Sequence, residues 1–246
     1  MSRYPGGVAE SSDRVRRPGR PRLDSGLPPL TRESIAEAGL AFAADHGFPA
    51  LTMRSLAERL GVTVRALYNH VEGRQEVIDL ISARMMELHP ERTLDPNEWE
   101  ASIRTLYRDT RAVYRTLGRA LLFPLDETVT PVEVPERRIL LPERLLAFLS
   151  DVGLSLPDAL IWRAQFLADI FSFSLLIDHR YDRAGTVERR AIQDPILKPW
   201  LDAHPEADAP HSRHAAELPD ASSDEMFEYM IDRAILTITA MRERHG

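Results

Sequence analysis

The chain has 246 residues, a formal net charge of −7 and no cysteine. Its length calls for a second domain with its own core beside any small reader, and the missing thiols exclude disulfides, thiolate zinc sites and a cysteine nucleophile. With no apolar leader at its start and no run of about 18 apolar residues, it reads as soluble and cytoplasmic, with no membrane partner.

The charge is unevenly divided. Residues 1–22 hold six arginines against Glu10 and Asp13, whereas residues 91–246 carry a net −8. Residues 1–29 read as a disordered basic arm, because Pro18 and Pro21 break any helix and there is little apolar surface to bury. Within it, Gly19-Arg20-Pro21 flanked by Arg17 and Arg22 resembles an AT-hook, an extended segment that lies in a narrow minor groove. Pro18 stands where that motif usually has an arginine.

The next elements form a unit over residues 30–76. A helix over Leu30 to His46, with Thr31 as a cap, places Ile35, Ala38 and Phe42 on one face, and Gly47 stops it. A second helix starts at Thr52, carries Leu56, Ala57 and Leu60 inward, and ends at Gly61, which accepts the left-handed backbone after a helix. Thr63 then caps a third helix. A corner this short forces the two helices to cross steeply and pack closely. Leu67 and Val71 face inward, which turns Arg65, Tyr68 and Asn69 outward. An arginine suits guanine, an amide suits adenine and a tyrosine reaches a phosphate, so the pattern reads as a helix-turn-helix for double-stranded DNA.

Residues 31 to 80 resemble the DNA-binding domain of the TetR (tetracycline-repressor-like) transcription regulators. The resemblance rests on Phe42 to Gly47, Leu51-Thr52 with Arg54, Leu56-Ala57, Leu60-Gly61-Val62, Leu67 to Val71, and the basic Arg74 that opens a fourth helix. It implies phosphate contacts from Thr52, Tyr68, His70 and Arg74, and base contacts from Arg54, Arg65 and neighbouring positions of the third helix, among which Thr63, Val64, Ala66 and Asn69 are included. It further implies a dimer on a palindromic operator, acting as a repressor.

The remainder, residues 77–246, reads as a helical bundle for dimerisation and ligand binding, which makes the fold class all-α. The fourth helix runs from about Arg74 to Leu88 and links the two domains. Further helices are expected from Asp95 to Tyr114, over a short piece from Leu117 to Pro124, and from Glu136 to Asp151, with a proline-marked loop over residues 124–135. A helix over Leu156 to Asp178 is apolar nearly all round, and the last helix, Glu225 to Arg244, carries a matching stripe. Two such helices from each of two subunits would make a four-helix homodimer interface, which a paired reader needs to span half-sites roughly 34–36 Å apart. Residues 180–223 read as a mobile loop; its His204, His211 and His214 read as solvated, and no metal site is expected.

The likeness to the tetracycline-repressor branch continues through Asn97-Glu98-Trp99, Leu145 to Leu149, Gly153-Leu154-Ser155 and the Phe227 helix. That branch reads a magnesium–tetracycline chelate with histidines, and the corresponding places, near Pro90 and Leu122 to Pro124, carry none. The expected effector is therefore a mostly apolar or aromatic small molecule, with no cofactor. Its expected lining is Leu106, Tyr107, Thr110, Tyr114, Leu145, Phe148, Trp162 and Phe166, with Arg111, Gln165 or Asp169 orienting it. Two other readings are an architectural DNA-binding protein without an effector and an α-helical enzyme. Against the second, the chain has no glycine-rich phosphate loop after a strand, no Gly-x-Ser-x-Gly elbow and no His-Glu-x-x-His helix.

Overall fold

Helix α1 (Arg32–His46) begins at a reciprocal cap: the Thr31 hydroxyl accepts the Ser34 amide and the Ser34 hydroxyl accepts the Thr31 amide. α2 (Met53–Leu60) repeats the device with Thr52 and Ser55, and Thr63 caps α3 (Val64–Leu67). Each cap satisfies amides that a helix start leaves unpaired. Between α2 and α3, Gly61 adopts φ 65° and ψ 28°, the left-handed backbone that a side chain would strain. These observations come from a computed structural model that describes residues 29–130, 135–185, 189, 192 and 196–244. Arg17, Arg20 and Arg22 of the expected basic arm lie outside the described residues.

After α4 (Arg74–Glu87) come α5 (Trp99–Leu117), a 3₁₀ turn over Gly118–Leu122, α6 (Phe123–Asp126), α7 (Glu136–Asp151) and α8 (Leu156–Phe173). α8 runs through a π turn, Ser174–Asp178, into the helical residues His179–Arg183, and the chain closes with a C-terminal helix over Ser223–Glu243. No strand occurs among the described residues. Within the segment expected to be a mobile loop, Lys198–Ala203 and Pro210–Ala215 form short helices. Arg213 braces the first against the second by donating to the carbonyls of Leu201, His204 and Pro205.

Two cores organise these helices. One holds Ile35, Phe48, Leu56, Leu67 and Val71 with Ile78 and Ile81 of α4, and it also takes Leu117, Ala120, Leu121 and Phe123. This core continues past residue 76, through α4 and the 117–123 segment. The turn after α5 reaches α1 closely. Gly118 has φ +49°, and a Cβ there would stand 2.8 Å from the Ala44 carbonyl oxygen, so glycine is needed both for backbone and for space.

The other core joins α5, α7, α8 and the C-terminal helix through Ile103, Tyr107, Phe148, Trp162, Phe166, Phe227 and Ile238. By length and composition alone, Leu156–Arg183 could cross a membrane, with a mean hydropathy of 1.5. Its Ala159, Trp162, Phe166, Ile170 and Phe173 are instead buried against the other helices. Its opposite side leaves Leu156, Leu160, Ile161 and Leu176 exposed, and Tyr229 and Leu236 of the C-terminal helix are exposed as well.

Candidate nucleic-acid interface and internal cavity

The caps and the Gly61 corner fix the direction in which α3 presents its side chains. Leu67 and Val71 are buried, while Arg65, Tyr68 and Asn69 are exposed, Tyr68 by 53%. An exposed tyrosine ring beside an exposed arginine is an unusual surface for a water-facing helix and a suitable one for a groove. Thr52 and Thr63 lie exposed at the starts of α2 and α3, their hydroxyls engaged as caps, and Val64, Ala66 and His70 are half-buried. Arg54 is exposed and lies 3.0 Å from Glu58 one turn on, a pairing that water weakens and a phosphate could replace.

Arg74 is placed differently from the expectation. Its Nε donates to the Leu51 carbonyl at 2.8 Å, one Nη to the Phe48 carbonyl at 3.0 Å, and both Nη atoms to the Glu127 carboxylate. The hydrogen bond to Glu127 raises the arginine pKa further. All the nitrogens of the fork are engaged within the protein, so the residue anchors the start of α4 instead of reaching outward. The next turns of α4 are fastened to the same segment: Gln75 donates to the Thr128 carbonyl, and Asp79 accepts from the amide and hydroxyl of Thr130.

The C-terminal half of α4 forms one wall of a cavity of about 480 Å³. Ser82, Met85, Met86 and His89 come from α4 and the residues just after it; Leu121, Phe123 and Pro124 come from the segment that α4 is fastened to. Of the lining expected from sequence, Leu106, Thr110, Tyr114, Leu145 and Phe166 do face this space. Phe148 lines an adjoining recess with Glu91 and Asp151.

The other expected lining residues do not face the cavity, and each has a physical reason. Tyr107 and Trp162 are fully buried in the aromatic core, where the Trp162 indole donates to the Ala234 carbonyl at 3.2 Å. Arg111 is closed bidentately on the fully buried Asp178 at 2.7 and 2.8 Å, pairs with Asp224 at 2.8 Å and stacks over the Phe227 ring. Asp169 accepts from Arg233 and from Gln165, each at 2.7 Å. Burial, with Asp169 adding to it, pushes the Tyr107 phenol up. These groups form a polar tie between helices that leaves no donor for a ligand.

Sequence reasoning missed His89. It stands next to Pro90, so the expectation that no histidine lies near that place is overturned, and it lines the cavity with its ring 5.9 Å from that of Tyr114. Burial, then Arg137 and Arg92, hold its imidazole below the ordinary value. No group of three or more His, Asp or Glu placed to hold a metal occurs among the described residues. Also missed were the cavity arginines, Arg92, Arg138, Arg144 and Arg163; a lone arginine on a helix gives no signal of what it faces.

Residues 35–80 match the family model described as "Bacterial regulatory proteins, tetR family". The chain is 27% identical to the tetracycline repressor protein class D of Escherichia coli over 176 residues, which is 70% of this chain and 77% of the repressor. It is 33% identical to the HTH-type transcriptional repressor DrrR1 of Streptomyces coeruleorubidus over 104 residues, 42% of this chain and 37% of that one. Among solved structures, the TetR family protein ActR of Streptomyces coelicolor in complex with actinorhodin superposes with a TM-score of 0.66 at 23% identity, covering 86% of this chain and 96% of that one. The complex of ActR with (S)-DNPA gives 0.63 at 22% identity, over 87% and 98%. Residues 35–80 thus carry the DNA-binding domain of the TetR family of transcriptional regulators, and the whole chain, with its helical domain behind that reader, is similar in sequence and fold to TetR-family regulators.

Proposed function

We propose that a homodimer of this protein occupies a palindromic operator, represses transcription there, and is released when a small molecule fills the cavity beneath α4. The observation that carries this reading is the double role of α4: its N-terminal turn is anchored into the helix-turn-helix through Arg74, and its C-terminal half walls the cavity. A ligand that prefers a shifted α4 would alter the orientation of both readers, and the shift can be no larger than that preference allows.

In this reading Arg65, Tyr68 and Asn69 enter the major groove with Thr63, Val64 and Ala66 close to it, while Thr52, Arg54 and His70 meet the backbone. Arg17, Arg20 and Arg22 would add contacts from the arm. The dimer forms through the exposed Leu156, Leu160, Ile161, Leu176 and Leu236, since large apolar side chains left in water along two helices need cover. The setting is the cytoplasm, where the DNA is. The effector has an apolar or aromatic body, in keeping with Met85, Met86, Leu106, Phe166 and Phe171 around the cavity. The repressors named above and the two ligands bound by ActR support a repressor with an effector site.

The test is a gel shift on the DNA flanking the protein's own gene, repeated across a panel of aromatic small molecules. Binding that one of them relieves supports the proposal. Binding that none relieves favours an architectural protein, and absence of binding rules the proposal out.

A further inference from the structure

Although the chain is acidic overall, its cavity is not. Arg92, Arg138, Arg144 and Arg163 line it together with His89, and no Asp or Glu does. Arginine stays charged at every physiological pH, and bringing several guanidinium groups to one partly enclosed, largely apolar space is costly unless anions balance them.

Two of the four have anions nearby. Arg92 pairs with Asp109, and Arg144 lies 4.0 Å from Glu91. Both also line the adjoining recess, which contains Glu91 and Asp151, so they stand where the cavity meets that recess. Arg138 and Arg163 line the cavity alone. Arg138, from α7, donates to the Ser82 hydroxyl of α4 at 2.9 Å, a neutral partner that orients the guanidinium without balancing its charge. Arg163, from α8, lies half-buried, and no carboxylate pairs with either residue among the described residues. Nearby, burial pushes the Tyr114 phenol up while Arg163 pulls it down, which leaves a neutral hydroxyl beside the cation.

We propose that the cavity takes an aromatic anion, whose carboxylate or sulfonate is held by the forked donors of Arg138 and Arg163 while its ring system lies among Met85, Met86, Phe166 and Phe171. This rests on the effector-cavity reading and adds the charge of the ligand to it. Guanidinium matches a planar carboxylate bidentately. Because one Nη of Arg138 donates to Ser82 of α4 and the other donors of its fork remain for an anion, the residue that holds the charge is also tied directly to α4.

The experiment uses two fluorescent probes with one aromatic frame, anilinonaphthalene sulfonate and the uncharged N-phenylnaphthylamine, titrated into the full-length protein. The sulfonate is expected to bind more tightly than the neutral probe, and its affinity alone should fall with added salt. Arg138→Gln and Arg163→Gln should each weaken the sulfonate about tenfold, the loss of one charge-assisted contact, while leaving the neutral probe within about twofold. A cavity-filling Leu167→Trp variant with unchanged circular dichroism should expel both probes. Equal binding of the two probes, or sulfonate binding unchanged in both arginine variants, overturns the anion seat and leaves the cavity standing. Probe binding that Leu167→Trp does not reduce shows that the probes sit elsewhere, and then the effector-cavity reading falls together with the anion seat.

Discussion

Arg74 and Glu127 are 53 residues apart in sequence, and both Nη atoms of the arginine close on the carboxylate, one at 3.0 Å. Through this pair the first residue of α4 is held to the segment that follows α6, while the arginine Nε holds the Leu51 carbonyl at 2.8 Å. One side of the 117–130 segment thus grips the helix-turn-helix, and the other side faces the cavity through Leu121, Phe123 and Pro124. Phe123 completes the link by meeting the Phe48 ring edge-on at 5.1 Å.

Arg74→Ala is therefore expected to lower stability by about 1–3 kcal/mol, because it strands a half-buried carboxylate and two carbonyls. Arg65→Ala should leave stability within about 0.5 kcal/mol, as an exposed side chain with no partner to lose among the described residues. Both variants should weaken operator binding. Thermal unfolding separates them: an Arg74→Ala protein as stable as the wild type would show that Arg74 is not an anchor.

Gly118→Ala should destabilise the protein by about 2 kcal/mol, since the new methyl meets the Ala44 carbonyl and the backbone is left-handed. In a chain of this size that is a fall of roughly 4–8 °C in Tm. Calorimetry checks it, and an unchanged Tm would mean that α1 and the 118–122 turn are not packed this closely.

How much of this was legible in the sequence follows from how local each cause is. The Thr31, Thr52 and Thr63 caps, the Gly61 corner and the bounds of α7 depend on residues a few positions apart, and the sequence reading places them correctly. The two faces of α5 were not separable. Leu106, Thr110 and Tyr114 repeat every four residues, and so do Ile103, Tyr107 and Arg111; only the first set meets the cavity, because the second meets α8 and the C-terminal helix. Nothing near Arg111 in sequence tells that Asp178, 67 residues on, will claim it. Likewise nothing around His89 or Arg163 in the sequence tells that α4 and α8 bring them to one space.

The pH dependence of stability should carry a contribution from His89. Burial lowers its pKa from 6.5 in the folded protein, so the unfolded chain binds the proton more tightly. Stability then falls as pH drops below about 6.5 toward the depressed folded value, and recovers on raising it. His179, lowered first by burial as well, adds in the same direction. Denaturant unfolding at neutral and mildly acid pH should show a smaller loss for His89→Gln than for the wild type; an equal loss would contradict the burial of His89.

Ile161→Glu and Leu236→Glu place charges on exposed apolar positions that the dimer is proposed to cover. Each should yield a folded monomer by light scattering with strongly weakened operator binding, since a single reader loses its second half-site. Variants that remain dimeric would move the interface elsewhere.

The most direct test of the account is fluorescence anisotropy on the DNA flanking the protein's own gene, with wild type and an Arg65→Ala, Tyr68→Ala double variant compared at several salt concentrations. The wild type is expected to bind with an affinity that falls as salt rises, and the double variant to bind at least about a hundredfold more weakly while staying dimeric and equally stable. If the double variant bound that DNA as the wild type does, α3 would not be the reading helix, and the account of this protein as an operator-binding regulator through that face would be wrong.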